Sequence, residues 1–151
     1  MVQALMCDVR FAAAGAKFTT AFARRGLIAE YGMSWLLPRL VGTANALDVL
    51  LSGRVFLAEE AHQMGMVNGV VPADQLLAHA VAYASDLAAN VSPTSMKVMK
   101  QQVYADTTQA ITESEQRALV LMKESLTRAD FKEGVASFME KRPPQFAPVT
   151  R

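Results

Sequence analysis

Few side chains in this sequence could do acid–base, nucleophilic or metal chemistry, and fewer still stand in company. Glu30 lies in the apolar run Leu27-Ile28-Ala29-Glu30-Tyr31-Gly32, just ahead of Ser34. A carboxylate there suits the start of a helix, where the N-terminal partial charge favours it. Read from the residues alone, that is the simpler role. His62 and His79 fall on separate helical stretches, with no Cys or carboxylate cluster at ligand spacing, so no metal site is expected. Cys7 is the single cysteine and has no base beside it in the pattern; it reads as an ordinary buried thiol. Arg24-Arg25, Arg39 and the Glu140-Lys141-Arg142 run read as solvated faces that could also meet an anion. Ser114, Ser125 and Thr127 read as capping or surface hydroxyls.

The elements that must position these groups are mostly helices. The chain has 151 residues, 52% of them apolar and 19% charged, which is enough for a packed domain and too oily for disorder. Its formal net charge of +1 argues against a nucleic-acid binder that relies on a broad basic surface. One cysteine excludes an internal disulfide framework. With no spanning apolar window and no signal-peptide pattern, a cytoplasmic protein that does not enter membranes is expected.

Met1 to Cys7 is apolar from its first residue and reads as the last turns of a buried helix whose beginning lies outside the sequence. Asp8 to Ala12 alternates as a short strand does, Ala14-Gly15 turns, and Lys17 to Thr20 is a second extended piece. Ser34 is placed to cap a helix that carries Pro38 near its first turn. Thr43 is placed to cap the next, with Ala46, Leu47, Leu50 and Leu51 on one face and Gly53 beyond its end. A short helix from Ala58 to Met64 stops at Gly65, and Val67 to Val71 is extended. Four helices follow: one opened by Pro72-Ala73-Asp74, one with Pro93 in its first turn, one from Thr112 to Leu126, and one capped by Thr127 with Asp130 as capping-box partner. Gly134 weakens that last helix and Pro143-Pro144 ends it. Two or three short strands cannot make a self-sufficient sheet, so the first half reads as the edge of something larger.

Four pieces of the chain together resemble the enoyl-CoA hydratase/isomerase, or crotonase, family. They are Met6-Cys7-Asp8-Val9-Arg10-Phe11-Ala12-Ala13; Gly26 to Gly32; Leu37-Pro38-Arg39-Leu40-Val41-Gly42 running on to Leu50-Leu51-Ser52-Gly53-Arg54; and Ala58-Glu59-Glu60-Ala61 to Gly65-Met66-Val67-Asn68 with Glu133-Gly134 and Phe138 to Pro143. The resemblance implies an α/β fold, mostly helical in this chain. Residues 1–72 would be the later turns of a ββα spiral with the active-site loop, and residues 73–151 a helical domain that drives trimers or hexamers. It also implies that the turns supplying the oxyanion-hole N–H groups and much of the CoA cradle precede this sequence.

The family's chemistry turns an acyl-CoA thioester into an enolate-like oxyanion while a carboxylate moves a proton beside the carbonyl. No cofactor is implied, since coenzyme A is part of the substrate. The resemblance places the hydratase pattern's two glutamates at Val2 and Phe22, neither of which can carry a proton. It leaves Glu30 where some isomerases of the family carry a single acidic base. Val2, Phe22 and Trp35 would line the acyl pocket, the two aromatics being equally well read as core. Phe138 and Lys141 match positions that touch CoA, often that of a neighbouring subunit, Lys141 as a point charge on phosphate. Isomerisation is therefore favoured over hydration. The alternative is an inert fragment that only associates through its helices, its uncovered apolar surface promoting oligomers or aggregation.

Overall fold

The computed structural model describes residues 1–149. Two compact units divide it, residues 1–81 and the residues from Ala82 onward.

In the first unit the short helix α1 (Val2–Leu5) precedes strand β1 (Phe11–Ala13), strand β2 (Lys17–Phe18) and a 3₁₀ turn (Ala23–Arg25). Helix α2 (Met33–Ser52), strand β3 (Phe56–Leu57), helix α3 (Ala58–Gln63) and strand β4 (Gly69–Val71) follow. Strands β1 and β4 pair in parallel with Phe11 opposite Gly69, and β2 pairs antiparallel with β3 with Phe18 opposite Phe56. Each ladder has only two strands, so side chains fasten what a wider sheet would hold. Arg10 spans the entry to β1: its Nε–H donates to the Met66 carbonyl at 2.7 Å, its backbone N–H donates to Asn68 Oδ1, and its carbonyl accepts from the Asn68 N–H. The core gathers Met33, Leu37 and Val41 from the first half of α2, Ala46 and Val49 from the second, and Phe56, Ala58, Ala61 and Met66 around them.

Gly42 breaks α2 into two helical segments with φ 77° and ψ 159°, backbone angles that essentially only glycine adopts. The chain leading to the helix is tied to both of its ends. Three side chains before the helix fasten onto carbonyls at its far end: Thr20 Oγ1 donates to Val49 at 2.7 Å, Thr19 Oγ1 to Gly53 at 3.1 Å, and Arg24 Nε to Ser52 at 2.7 Å. The Ser52 and Gly53 carbonyls are acceptors that a helix C-terminus leaves open, the Val49 carbonyl also accepts the capping Gly53 N–H, and a cation is favoured at this end. From Arg24 the chain must still reach Gly32, which caps the N-terminus of the same helix. Fully stretched, that segment covers about 28 Å, and an unbroken 20-residue helix is about 30 Å long. The segment is not stretched, because it begins in the 3₁₀ turn. A kink at Gly42 shortens the span that this segment and the Arg24 side chain have to cover.

The second unit holds most of helix α4 (Leu76–Asn90), then α5 (Pro93–Asp106), α6 (Ile111–Thr127) and α7 (Ala129–Glu140). Ser92 caps α5, accepting the Ser95 N–H at 3.0 Å. Large apolar side chains stay open to solvent along α6 and α7, among them Leu119, Met122, Phe131, Val135 and Phe138. None of the helices is long and apolar enough to cross a membrane, among the described residues.

Several local expectations are corrected. Ser34 does not cap: Gly32 does, in a left-handed conformation, and Ser34 sits inside the first turn. Leu47 and Leu51 face solvent, because Ala46 and Val49 are the positions the second segment buries. Thr127 and Asp130 form no capping box. Arg128 is the cap residue of α7, Thr127 Oγ1 turns back to the Glu124 carbonyl, and Asp130 accepts from the Ser92 hydroxyl. Gly134 leaves α7 continuous, and the helix ends before the prolines with Lys141 left-handed at φ 54°. Cys7 is exposed rather than buried.

Candidate active site

Glu30 closes the loop that runs from Thr20 to Gly32. Backbone strain gathers in that loop: Ala21 (φ 54°) and Tyr31 (φ 53°) are left-handed without being glycine, and Gly26 and Gly32 are left-handed as well. Each such non-glycine residue costs on the order of 1 kcal/mol, so the surrounding contacts must impose it. The Glu30 carbonyl accepts the Met33 N–H at 3.0 Å as the chain turns into α2. Its side chain is half-buried, and its neighbour Ala29 packs on the core. Among the described residues no hydrogen bond or ion pair engages the Glu30 carboxylate.

Val2 and Phe22 are half-buried and pack against the same core as Ala29 and Leu36. Neither side chain can ionise. The Phe22 carbonyl also accepts from Arg25 and Leu27, which shapes the turn. Trp35 is not among the residues packed on that core. It is about half exposed, and the Arg39 guanidinium lies over its ring, 4.0 Å from the centroid, while bonding its carbonyl. Leu27, Ile28 and Tyr31 are exposed around the loop, Ile28 by 81%. Glu30 thus stands at the rim of an apolar surface.

In the second unit, Phe138 lines an open cleft of about 490 Å³ with Phe131, Val135, Met139, Phe146 and Arg128. Lys141 is exposed one turn beyond it and is not among the residues of its wall.

Other polar side chains that the motifs contain turn out to be fasteners. Arg54 bridges Asp48 at 2.6 Å and also bonds Glu60, which draws the Glu60 carboxyl below its usual range. Glu59 accepts N–H groups, its own and that of Gly15, with the same effect. Arg142 forks onto Glu133 at 2.6 and 3.0 Å; with the Gln145 N–H added, the Glu133 carboxyl is lowered to about 2. Sequence reasoning had no signal for these pairings beyond the presence of both partners in the motif pieces. No group of three or more His, Cys, Asp or Glu residues could hold a metal ion, among the described residues.

The sequence model of one family, "Enoyl-CoA hydratase/isomerase", matches residues 1–148. The "Probable enoyl-CoA hydratase echA8" of Mycobacterium tuberculosis is 37% identical over 143 residues, covering 95% of this chain and 55% of that protein. The "1,2-epoxyphenylacetyl-CoA isomerase" of Escherichia coli K12 is 37% identical over 144 residues, covering 95% and 54%. A crystal structure from Mycobacterium abscessus, described as a probable enoyl-CoA hydratase/isomerase, superposes with a TM-score of 0.94 at 33% identity, covering 99% of this chain and 61% of that one. The chain therefore spans about half the length of the curated relatives it matches, and it has their crotonase-like α/β fold.

Proposed function

We propose that this chain, which belongs to the enoyl-CoA hydratase/isomerase family, carries the base of an enzyme that moves a double bond in an enoyl-CoA thioester. The supporting observation is that Glu30 is a half-buried carboxylate without a partner among the described residues, on a strained loop among the apolar side chains of Leu27, Ile28 and Tyr31. In the reaction, Glu30 takes the C2 proton of a 3-enoyl-CoA, and the electron pair passes into the thioester carbonyl to give an enolate. As that pair returns, the double bond moves to C2–C3 and Glu30 gives its proton to C4. One carboxylate suffices, and no water is consumed.

Hydration would need a second group to activate water. Val2 and Phe22 stand where the family pattern puts its two glutamates, and both are packed on the core. That weighs against a hydratase. Trp35 serves in this reading as the outer wall of the acyl site. Coenzyme A, the only non-protein group required, is met by exposed Phe138 and Lys141. The apolar row on α6 and α7 supports a homo-oligomer, a trimer or hexamer.

The test offers a 3-enoyl-CoA and a 2-enoyl-CoA to the chain itself and to a form carrying, ahead of Met1, the preceding segment of a full-length relative. Glu30→Gln is the control. Loss of a general base lowers turnover by about 10²- to 10⁴-fold, so Glu30→Gln should abolish measurable isomerisation in whichever form is active. Hydration that survives in Glu30→Gln overturns the assignment.

A further inference from the structure

We infer that Arg24 is a positioning residue for Glu30, an inference that rests on the base assignment above. The loop that carries Glu30 has two ends. One is Gly32, which caps α2 and cannot move without moving the helix. The other is held by Arg24, whose Nε–H donates to the Ser52 carbonyl at 2.7 Å, 28 residues away in sequence. Arg24 also lies flat against the turn that ends α2. A Cβ added at Gly53 would stand 3.1 Å from Arg24 Cγ and 3.3 Å from Cδ, so the absent side chain at Gly53 makes the seat for the Arg24 stem.

The intervening residues have little side-chain support of their own. Arg25, Gly26, Leu27 and Ile28 are exposed, local backbone hydrogen bonds in the turn reach only as far as Leu27, and Tyr31 beyond is left-handed without being glycine. Thr19 and Thr20 fasten the chain before the 3₁₀ turn. Arg24 makes the last side-chain hydrogen bond before Glu30 among the described residues, and between them only the small Ala29 side chain packs on the core. Releasing Arg24 would leave Ala29 alone to fasten that stretch and let Tyr31 relax toward ordinary angles, and the carboxylate would then be held less closely in place.

Two readouts separate this role from simple stabilisation. In protein labelled with ¹³C at the glutamate carboxyl carbon, the Glu30 resonance is identified by its loss in Glu30→Gln. In Arg24→Ala it should shift toward the value of an unstructured glutamate while the Glu59, Glu60 and Glu133 resonances stay in place. Arg24→Lys, which retains the stem and a donor, should restore part of the shift, and Arg25→Ala should have no effect. In the isomerase assay Arg24→Ala should lower kcat about tenfold or more with KM within twofold. An unmoved Glu30 resonance in Arg24→Ala overturns the inference, as does a shift shared by all the glutamates, which would mean general loosening. If the resonance moves as expected while Glu30→Gln keeps its isomerase activity, the anchor stands and the base assignment falls.

Discussion

Replacing Gly42 by alanine tests the strapped-helix reasoning directly, because two effects of opposite sign meet there. Alanine favours a helix interior over glycine by about 1 kcal/mol, and an added Cβ at this position meets nothing within 4 Å. On local grounds the substitution should stabilise. It can do so only by straightening α2, which carries Val49, Ser52 and Gly53 away from Thr20, Arg24 and Thr19. Three hydrogen bonds at about 1 kcal/mol each outweigh the helical gain, for a net loss of about 2 kcal/mol. Should the break persist instead, alanine must hold φ 77° and ψ 159°, at about 1–3 kcal/mol. Both routes end in destabilisation of about 1–3 kcal/mol. Urea unfolding followed by circular dichroism reads it as a midpoint lowered by roughly 1 M, for a slope near 2 kcal/mol per molar. The two routes separate by helical signal, which rises before unfolding only if the helix straightens. A Gly42→Ala protein as stable as the parent, or more so, would refute the reasoning that the strap contacts favour the break.

Two further substitutions probe the second unit. The Glu133 carboxyl sits near 2 in the folded chain because Arg142 and the Gln145 N–H favour its charged form. A carboxyl whose pKa falls on folding binds fewer protons folded than unfolded, so its contribution is complete above the ordinary carboxyl range and is lost as pH drops toward 2. Glu133→Gln should therefore flatten the dependence of the unfolding midpoint on pH between about 4.5 and 2, measured by circular dichroism against the parent; an unchanged slope would show that Arg142 does not hold it. Ser92→Ala removes the cap of α5 and the hydroxyl that donates to Asp130, and should cost about 1 kcal/mol or more in thermal or urea unfolding. A loss no larger than that of an exposed substitution such as Lys97→Ala would mean that the cap contributes nothing.

What the sequence made legible was what is local. The strand at Phe11, the turn at Gly15, the stops at Gly53 and Gly65 and the helical run to the end are all present, because each depends on residues within one turn of chain. The misplaced features depend on distant partners. Asp130 was paired with Thr127 by spacing, but Ser92, 38 residues earlier, takes it. Periodicity groups Leu47 and Leu51 with Ala46, yet Ala46 and Val49 meet the core while Leu47 and Leu51 face solvent, because which face is buried depends on what packs against it. Glu30 itself was legible only through a family resemblance. Its anchor was not legible at all, since a side chain bonded to a carbonyl 28 residues away leaves no pattern in composition or spacing.

The same fasteners that hide from the sequence narrow the choice of base. A general base works best when its pKa lies near the working pH, and a partner that favours the charged form pulls it the wrong way. In the first unit, Glu60 is bonded to Arg54, which also holds Asp48. Glu59 is tied to the Gly15 N–H, and both glutamates are drawn below their usual range. To accept a proton, either would have to give up a contact that holds α3 in place. Asp8 and Asp74 are exposed to solvent. Glu30 is half-buried, and its oxygens engage no hydrogen-bond or ion-pair partner among the described residues. On the proposed reading it is the half-buried carboxylate of the first unit that no fastening contact holds.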